Sequence, residues 1–115
     1  MPNHISQQIA SLRRIAETGL HQDHLAQLVS ECARLAQDSR FVLTFFVLGH
    51  LFSDLDHALD EGPVEFERFE ELTQGLVVRI STVLTKLEHG EDARWDELQG
   101  IVSLHLRNLG LFRTR

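Results

Sequence analysis

The densest apolar run in the chain is the octet FVLTFFVL at residues 41–48, which continues through residues 49–52. Seven of its eight residues are apolar. A helix that crosses a bilayer needs about 20 such residues, whereas Arg40 precedes this run and Ser53 and Asp54 close it. We therefore expect a buried core segment of a globular protein, and no contact with a membrane.

The residues after the octet favour a helix over a strand. Periodicity cannot separate a buried strand from a buried helix over so short a run. Farther along, however, apolar side chains recur at helical spacing while polar ones fall on the opposite face, as in an amphipathic helix. The apolar set is Leu48, Leu51, Phe52, Leu55, Ala58 and Leu59, and the polar set is His50, Asp54, His57 and Glu61. A central helix over about 40–61 is predicted, with a strand over 41–48 as the alternative.

The first half of this central helix is apolar on every side. Leu43, Phe46 and Val47 lie on the face that becomes polar in the second half. A helix that is apolar all round is normally buried. We therefore expect this half to be enclosed by the rest of the chain or covered by a partner chain.

Four further segments carry an apolar stripe at helical spacing, and the rest of the chain shows no useful period-two alternation. They run from about 3 to 18, 21 to 38, 63 to 89 and 92 to 109. Three glycines are predicted to follow helix ends, namely Gly19, Gly90 and Gly110. The predicted fold is all-α: a single domain over 1–115, formed by an antiparallel bundle of four to five helices around the central apolar helix.

Local signals refine the predicted helix starts. Asp38 or Ser39 could cap the central helix, although one long bent helix over 21–61 is the alternative because the connection contains neither Gly nor Pro. Pro63 fits the first position of the fourth helix. Asp92 is the candidate N-cap of the fifth helix.

The fifth predicted helix carries apolar residues on two sides. Its main stripe, expected to face the core, consists of Trp95, Leu98, Val102, Leu106 and Leu109. Leu104 and Leu111 point away from that stripe, and Ile101 lies at its edge. Apolar residues on the back of a helix are typical of a subunit interface. Together with Leu43, Phe46 and Val47, these three residues form the predicted interface, and a homodimer is expected.

Charge restricts the kinds of partner. The formal net charge is −6, which argues against nucleic-acid binding because that depends on Lys and Arg neutralising phosphates. Residues 54–71 hold eight acidic residues and one Arg, whereas residues 98–115 hold three Arg and no acidic residue. This asymmetry indicates either a solvated acidic surface or one that meets a basic partner, such as the Arg-rich end of a second copy.

The expected location is the cytoplasm. The single Cys32 excludes an intramolecular disulfide and fits a reducing compartment. No charged region followed by an apolar segment and a small-residue cleavage site opens the chain, so no secretory signal is predicted.

The best candidate for chemistry is a metal site formed by His50, Asp54 and His57. Imidazole and carboxylate groups one turn apart on a helix can chelate Zn²⁺ or Fe²⁺. Known di-iron bundles need carboxylates from several facing helices, and no second carboxylate-x-x-His pair lies on an apolar stripe here. A solvated polar face is the simpler interpretation. His21 and His24 would add ligands only if the helices packed suitably.

A weaker alternative is phosphorelay through His105. Histidine phosphotransfer domains are four-helix bundles in which Lys and Gly stand three and four residues after the phosphorylated His. Asn108 and Leu109 occupy those places here, so the chain is not assigned to that class. A partly buried, hydrogen-bonded core histidine is the simpler interpretation.

No motif indicates an enzyme. The chain has no glycine-rich phosphate loop, no CxxC pair and no dinucleotide fingerprint. Cys32 lies on an apolar stripe, where thiols are normally inert. The sequence therefore favours a small non-enzymatic helical protein without a cofactor that acts through protein–protein interaction, in the manner of a regulator, adaptor, chaperone or inhibitor.

Overall fold

The computed structural model describes residues 4–61 and 64–113 and contains five helices within those ranges. They are α1 (His4–Glu17), α2 (Gln22–Asp38), α3 (Val42–Glu61), α4 (Phe66–Glu88) and α5 (Trp95–Arg113). The described ranges contain no strand. The prediction of an all-α bundle of four to five helices is confirmed, and the strand alternative for 41–48 is wrong.

The helices form a closed ring in the spatial order α1, α2, α3, α5, α4. Consecutive helices run antiparallel, so α5 runs parallel to α3 and fills the gap between α3 and α4. Two polar contacts fix this parallel arrangement. The hydroxyl of Thr44 donates to Oδ1 of Asp92 at 2.9 Å, and Nε2 of His105 lies 3.0 Å from Oδ2 of Asp54.

The core is contributed by all five helices. Phe45 and Phe52 of α3 are completely buried, and side chains of this size dominate the energetics of a core. The other fully buried large residues are Ile9, Leu12, Leu25, Leu28, Leu35, Leu48, Leu55, Leu76, Ile80 and Leu84. The aromatic end of the α4–α5 pair adds a stacked contact between Phe69 and Phe112, with ring centroids 5.3 Å apart.

Helices α2 and α3 are two separate helices, so the single bent helix over 21–61 is wrong. Ser39 adopts an extended backbone with φ −114° and ψ 170°. Its Oγ accepts a hydrogen bond from the backbone N–H of Phe41 at 3.1 Å, which stabilises the turn between α2 and α3 but lies before the first turn of α3, so the predicted cap by Ser39 is not formed. Gly19 and Gly90 follow α1 and α4 with φ values of +116° and +83°, as predicted for helix-ending glycines.

The bounds of α5 differ from the prediction at both ends. Asp92 lies before the helix, where its Oδ1 accepts hydrogen bonds from Thr44 and from the backbone N–H of Ala93 at 2.8 Å. The helix starts at Trp95, and Glu97 accepts from the N–H of Arg94 at 2.8 Å, as in half of a capping box.

Gly110 does not end α5, which continues to Arg113. The stacked contact of Phe112 on Phe69 holds this last turn on the bundle. The predicted role of Pro63 falls outside the described residues, and α4 begins at Phe66.

Candidate functional site: an apolar surface on α3 and α5

Helix α5 is turned so that polar residues face the core. Its buried side consists of Leu98, Ile101, His105 and Asn108, each at most 5% exposed. Trp95 and Leu106, which the sequence placed on the inward stripe, are 68% and 59% exposed. At 100° per residue, the helix is rotated by roughly 80° from the predicted orientation. The predicted main face of α5 is therefore right for Leu98, which is buried, and wrong for Trp95 and Leu106, while Val102 and Leu109 are half-buried.

Partners inside the bundle explain this rotation. The side-chain amide of Asn108 donates to the backbone carbonyl of Leu72 on α4 at 2.9 Å. His105 meets Asp54 of α3 as described above. Buried polar groups are tolerated when they are hydrogen-bonded. These contacts hold α5 with His105 and Asn108 inward, and Trp95 and Leu106 of its apolar stripe are left on the outside.

Helix α3 also turns apolar residues outward. Val42, Leu43 and Phe46 are 56%, 54% and 57% exposed, while Phe45 is completely buried. The expectation that the rest of the chain encloses this half of α3 is wrong, because of the helices in the described ranges only α2 and α5 lie directly against α3. The ring of His50 contacts Phe46 edge-on, with centroids 4.4 Å apart, and leaves most of Phe46 open to solvent.

The outward apolar residues of α3 and α5 lie on two neighbouring helices. The contact of Asp54 with His105 shows which side of α3 faces α5. Leu43 and Val47 lie on that same side of α3, because they precede Asp54 by about three and two helical turns. On α5, His105 faces α3, and Val102 and Leu109 lie one turn before and after it. The two stripes are therefore neighbours.

The two stripes overlap in height only at the start of α5, where residues 42–47 are level with Trp95, while Leu106 and Leu109 lie beside the second half of α3. Thr44 is level with Asp92, which stands just before Trp95, and Asp54 is level with His105. We call the combined feature the α3–α5 surface. It consists of Val42, Leu43, Phe46, Val47, Trp95, Val102, Leu106 and Leu109.

The apolar area of the α3–α5 surface is comparable to the largest apolar patch of a typical monomer, which is often functional. Its five most exposed side chains present on the order of 500 Å² of apolar surface. Apolar patches of this size are often interaction sites. Two other large apolar side chains, Phe66 and Val78, are exposed on α4. Phe66 is partly covered by the parallel ring of His21, with centroids 5.6 Å apart.

The predicted interface residues separate into three groups. Leu43 and Phe46 are exposed and Val47 is half-buried, all within the α3–α5 surface. Ile101 is 1% exposed and belongs to the core, so its assignment to an interface is wrong, because the rotation of α5 carries it inward. Leu104 and Leu111 are half-buried, and Leu104 packs against the core beside Gly75 of α4.

Sequence reasoning missed Trp95 and Leu106 as surface residues. Their spacing with Leu98 and Val102 resembles an ordinary inward stripe. The available signal was the pair His105 and Asn108 at i and i+3, which becomes informative only when their partners on α3 and α4 are known.

The three predicted metal ligands do not form a cluster. His50 contacts Phe46, Asp54 is engaged by His105, and His57 is exposed on the outer side of α3. Within residues 4–61 and 64–113, no group of three or more His, Cys, Asp or Glu side chains is arranged to hold a metal ion. His21 and His24 contact each other at the start of α2, with centroids 5.5 Å apart. The geometry adds no support to the metal hypothesis.

Neither His105 nor Cys32 is placed for chemistry with an external substrate. His105 is 4% exposed, with Nε2 against Asp54 and Nδ1 buried, whereas a phosphoryl group must reach a ring nitrogen from solvent. Burial raises the pKa of the Cys32 thiol to about 12. The thiolate is the nucleophilic form, so this thiol is poorly reactive.

Comparison with known protein families, with curated proteins and with solved structures finds no match for this chain. Of the helices in the described ranges, α3 alone is long and apolar enough to cross a membrane by length and composition, a test that core helices of soluble proteins also pass. The α3–α5 surface is therefore interpreted from its own geometry.

Proposed function

We propose that this protein acts by binding another protein chain through the α3–α5 surface and carries out no reaction of its own. The observation that carries the proposal is the orientation of α5. Trp95 and Leu106 of its apolar stripe are exposed and Val102 and Leu109 are half-buried, while its inward side contains His105 and Asn108 beside Leu98 and Ile101. A helix that leaves its apolar stripe outside exposes the kind of surface that partners cover.

The composition of the surface supports the same proposal. Interface centres are enriched in aromatic residues, and tryptophan is over-represented among the residues that dominate binding energy. The only tryptophan of the chain, Trp95, is 68% exposed within this surface, and Phe46 is 57% exposed. Polar residues such as His50, Asp54 and Gln99 border it, as in an apolar centre with a polar rim.

The test begins by crosslinking the full chain to its partner in its native cells. The partner identified in this way is then purified and mixed with the purified chain. The parent should bind that partner saturably and with fixed stoichiometry. Leu106→Glu should weaken binding by about a hundredfold or more, because it buries an unpaired carboxylate in an apolar interface. Val78→Glu, which changes an equally exposed apolar residue on α4, should leave binding unchanged.

Trp95 provides an independent readout, because the chain has no other Trp and no Tyr. Its emission should shift to the blue when a partner covers the surface and removes water from the indole. The proposal is overturned if the reconstituted partner binds the Leu106→Glu variant as tightly as the parent. It is equally overturned if binding leaves the Trp95 emission where it was.

A further inference from the structure

We infer that the partner on this surface is a second copy of the chain, and that the two α5 helices pair antiparallel about a two-fold axis near Val102. This inference rests on the proposed function and names the occupant of the α3–α5 surface. In such an isologous pair, each copy presents the same residues to the other. The outer face of α5 must then be complementary to itself when reversed, and three features of its sequence and exposure meet that requirement.

The apolar residues are symmetric about Val102. Trp95 stands seven residues before it and Leu109 seven residues after it, which returns to nearly the same face of the helix. In the antiparallel pair, Trp95 of each copy therefore meets Leu109 of the other, once at each end. Leu106 of each copy lies opposite Gln99 and Val102 of the other. The exposed indole of Trp95 and the exposed side chain of Leu106 are therefore both covered.

The charges are symmetric in the same way. Asp96 lies six residues before Val102 and Arg107 lies five residues after it, and both lie on the edge of the outer face of α5 that is opposite the edge carrying Val102, roughly 120–140° around the helix from it. Both are exposed, and the side chain of Asp96 is 65% exposed although Arg94 lies 3.1 Å from it. An antiparallel pair sets Asp96 of one copy opposite Arg107 of the other at both ends. A parallel pair would set like charges together, which is unfavourable.

The exposed area is close to what a stable dimer needs. Interfaces of standard size bury about 800 Å² on each partner, and homodimer interfaces are roughly 65% apolar. The apolar area of the α3–α5 surface, on the order of 500 Å², supplies most of the apolar share of such an interface. Leu43 and Phe46 of α3 lie on the same side of the bundle, level with Trp95 at the start of the α5 stripe, and extend the contact at that end.

The other charged and polar groups around the stripe leave room for this pairing. Glu97 is turned toward α4, where its Oε1 accepts from Nζ of Lys86 at 2.6 Å. His105 is buried toward α3. Gln99 and Ser103 are exposed and uncharged. The charged groups on the flank that meets the second copy are therefore Asp96, with Arg94 3.1 Å from it, and Arg107.

A charge-reversal series tests the register. Sedimentation equilibrium should show a dimer for the parent. Asp96→Lys alone and Arg107→Glu alone should each raise the dimer dissociation constant roughly tenfold, because each sets like charges together at both ends. The double variant Asp96→Lys, Arg107→Glu should restore dimerisation, since it reverses both members of each pair. Failure of the double variant to recover overturns the antiparallel register.

Disulfide trapping tests the position of the axis. Val102→Cys should form an intermolecular disulfide rapidly under mild oxidation, because the axis brings its two copies together. Ser30→Cys, an exposed position on α2 that is remote from α5, should crosslink much more slowly. The native Cys32 is completely buried and does not interfere. Equal crosslinking at both positions contradicts the inference.

The outcomes separate this inference from the proposed function. A strict monomer that still binds a reconstituted partner through Leu106 overturns the second-copy inference and leaves the proposed function standing. A strict monomer without any partner overturns both. If Leu106→Glu still forms a dimer and the Trp95 emission does not change on dilution, the two copies pair through another face. That result also overturns the inference.

Discussion

Nε2 of the His105 imidazole lies 3.0 Å from Oδ2 of Asp54 and links α5 to α3 where the two helices run parallel. The two residues lie in unequal surroundings. The side chain of His105 is 5% exposed, whereas that of Asp54 is 50% exposed. Nδ1 of His105 is buried and has no hydrogen-bond partner among the described residues. The histidine therefore depends on Asp54, while water can replace the histidine at Asp54.

This inequality predicts opposite effects of removing each partner. Asp54→Ala should lower the free energy of unfolding by about 1–3 kcal/mol, because it leaves a buried imidazole with both nitrogens unsatisfied. His105→Leu should be close to neutral or stabilising, since it removes the buried polar group and lets water solvate Asp54. Urea denaturation of both variants measures the difference. Equal destabilisation by the two changes would show that the pair acts symmetrically.

Phe45 and Phe46 form a matched pair for testing the core. Phe45→Ala should destabilise the monomer by about 3–5 kcal/mol, because Phe45 is completely buried and its removal leaves a cavity. Phe46→Ala should change monomer stability by less than about 0.5 kcal/mol, because Phe46 is 57% exposed. Both are measured at a concentration where the protein is monomeric. A large loss from Phe46→Ala would place that ring in the core.

Cys32 should react very slowly with a thiol reagent in the native protein. Burial raises its pKa to about 12, so the thiolate is scarce at pH 7 and the sulfur is also shielded from solvent. The unfolded chain in denaturant should react at the ordinary rate of an exposed cysteine. Native labelling with a chromogenic disulfide reagent measures the contrast, and equal rates in the two states would contradict the burial.

Acid should weaken the contact between α4 and α5. The pKa of the Glu97 carboxyl is lowered, chiefly by its hydrogen bond from Lys86 and then by the backbone N–H of Arg94. A carboxyl whose pKa is lower in the folded than in the unfolded state stabilises the protein above its unfolded pKa of about 4.3, and this stabilisation is lost as the pH falls through the folded value. Urea midpoints measured between pH 7 and pH 3 should therefore fall less in Glu97→Gln than in the parent. The effect is small because such pairs are screened by water.

Glu70→Gln, which changes an exposed carboxylate on the same bundle, serves as the control for this titration. Its midpoints should follow those of the parent over the whole pH range. A Glu97→Gln variant that also follows the parent would contradict the role of the Lys86–Glu97 pair.

The metal hypothesis has a direct test. Because His50, Asp54 and His57 do not converge with further ligands in the described residues, Zn²⁺ should leave the melting temperature of the parent unchanged. Protein purified without chelator should give the same metal content as the double variant His50→Ala, His57→Ala. A higher metal content in the parent, or a Zn²⁺-dependent rise in its melting temperature, would revive the metal site.

Local sequence signals were sufficient for most of the secondary structure. The apolar stripes predicted five helices, and the glycines at 19 and 90 marked two helix ends correctly because a residue with positive φ terminates a helix. Gly110 failed as a terminator. The contact of Phe112 with Phe69, which no local pattern reveals, favours continuation of the helix over a break at glycine.

The orientation of α5 could not be predicted from its own residues. Periodicity assigns the apolar stripe of Trp95, Val102 and Leu106 to the core. The competing arrangement depends on an acceptor for Asn108 at the carbonyl of Leu72 and on Asp54 for His105, and both partners come from other helices. Predicting the surface residues therefore required the three-dimensional positions of groups that lie 36 and 51 residues away in the chain.

The insertion of α5 between α3 and α4 also has a consequence for native-state hydrogen exchange. This helix buries two polar side chains where the other helices bury mostly hydrocarbon, so opening it exposes comparatively little apolar area. At concentrations where the protein is monomeric, amide protons of α5 should therefore exchange sooner than those at the centre of α2 and α3. Helix α5 would then behave as a separate cooperative unit that unfolds before the other four helices.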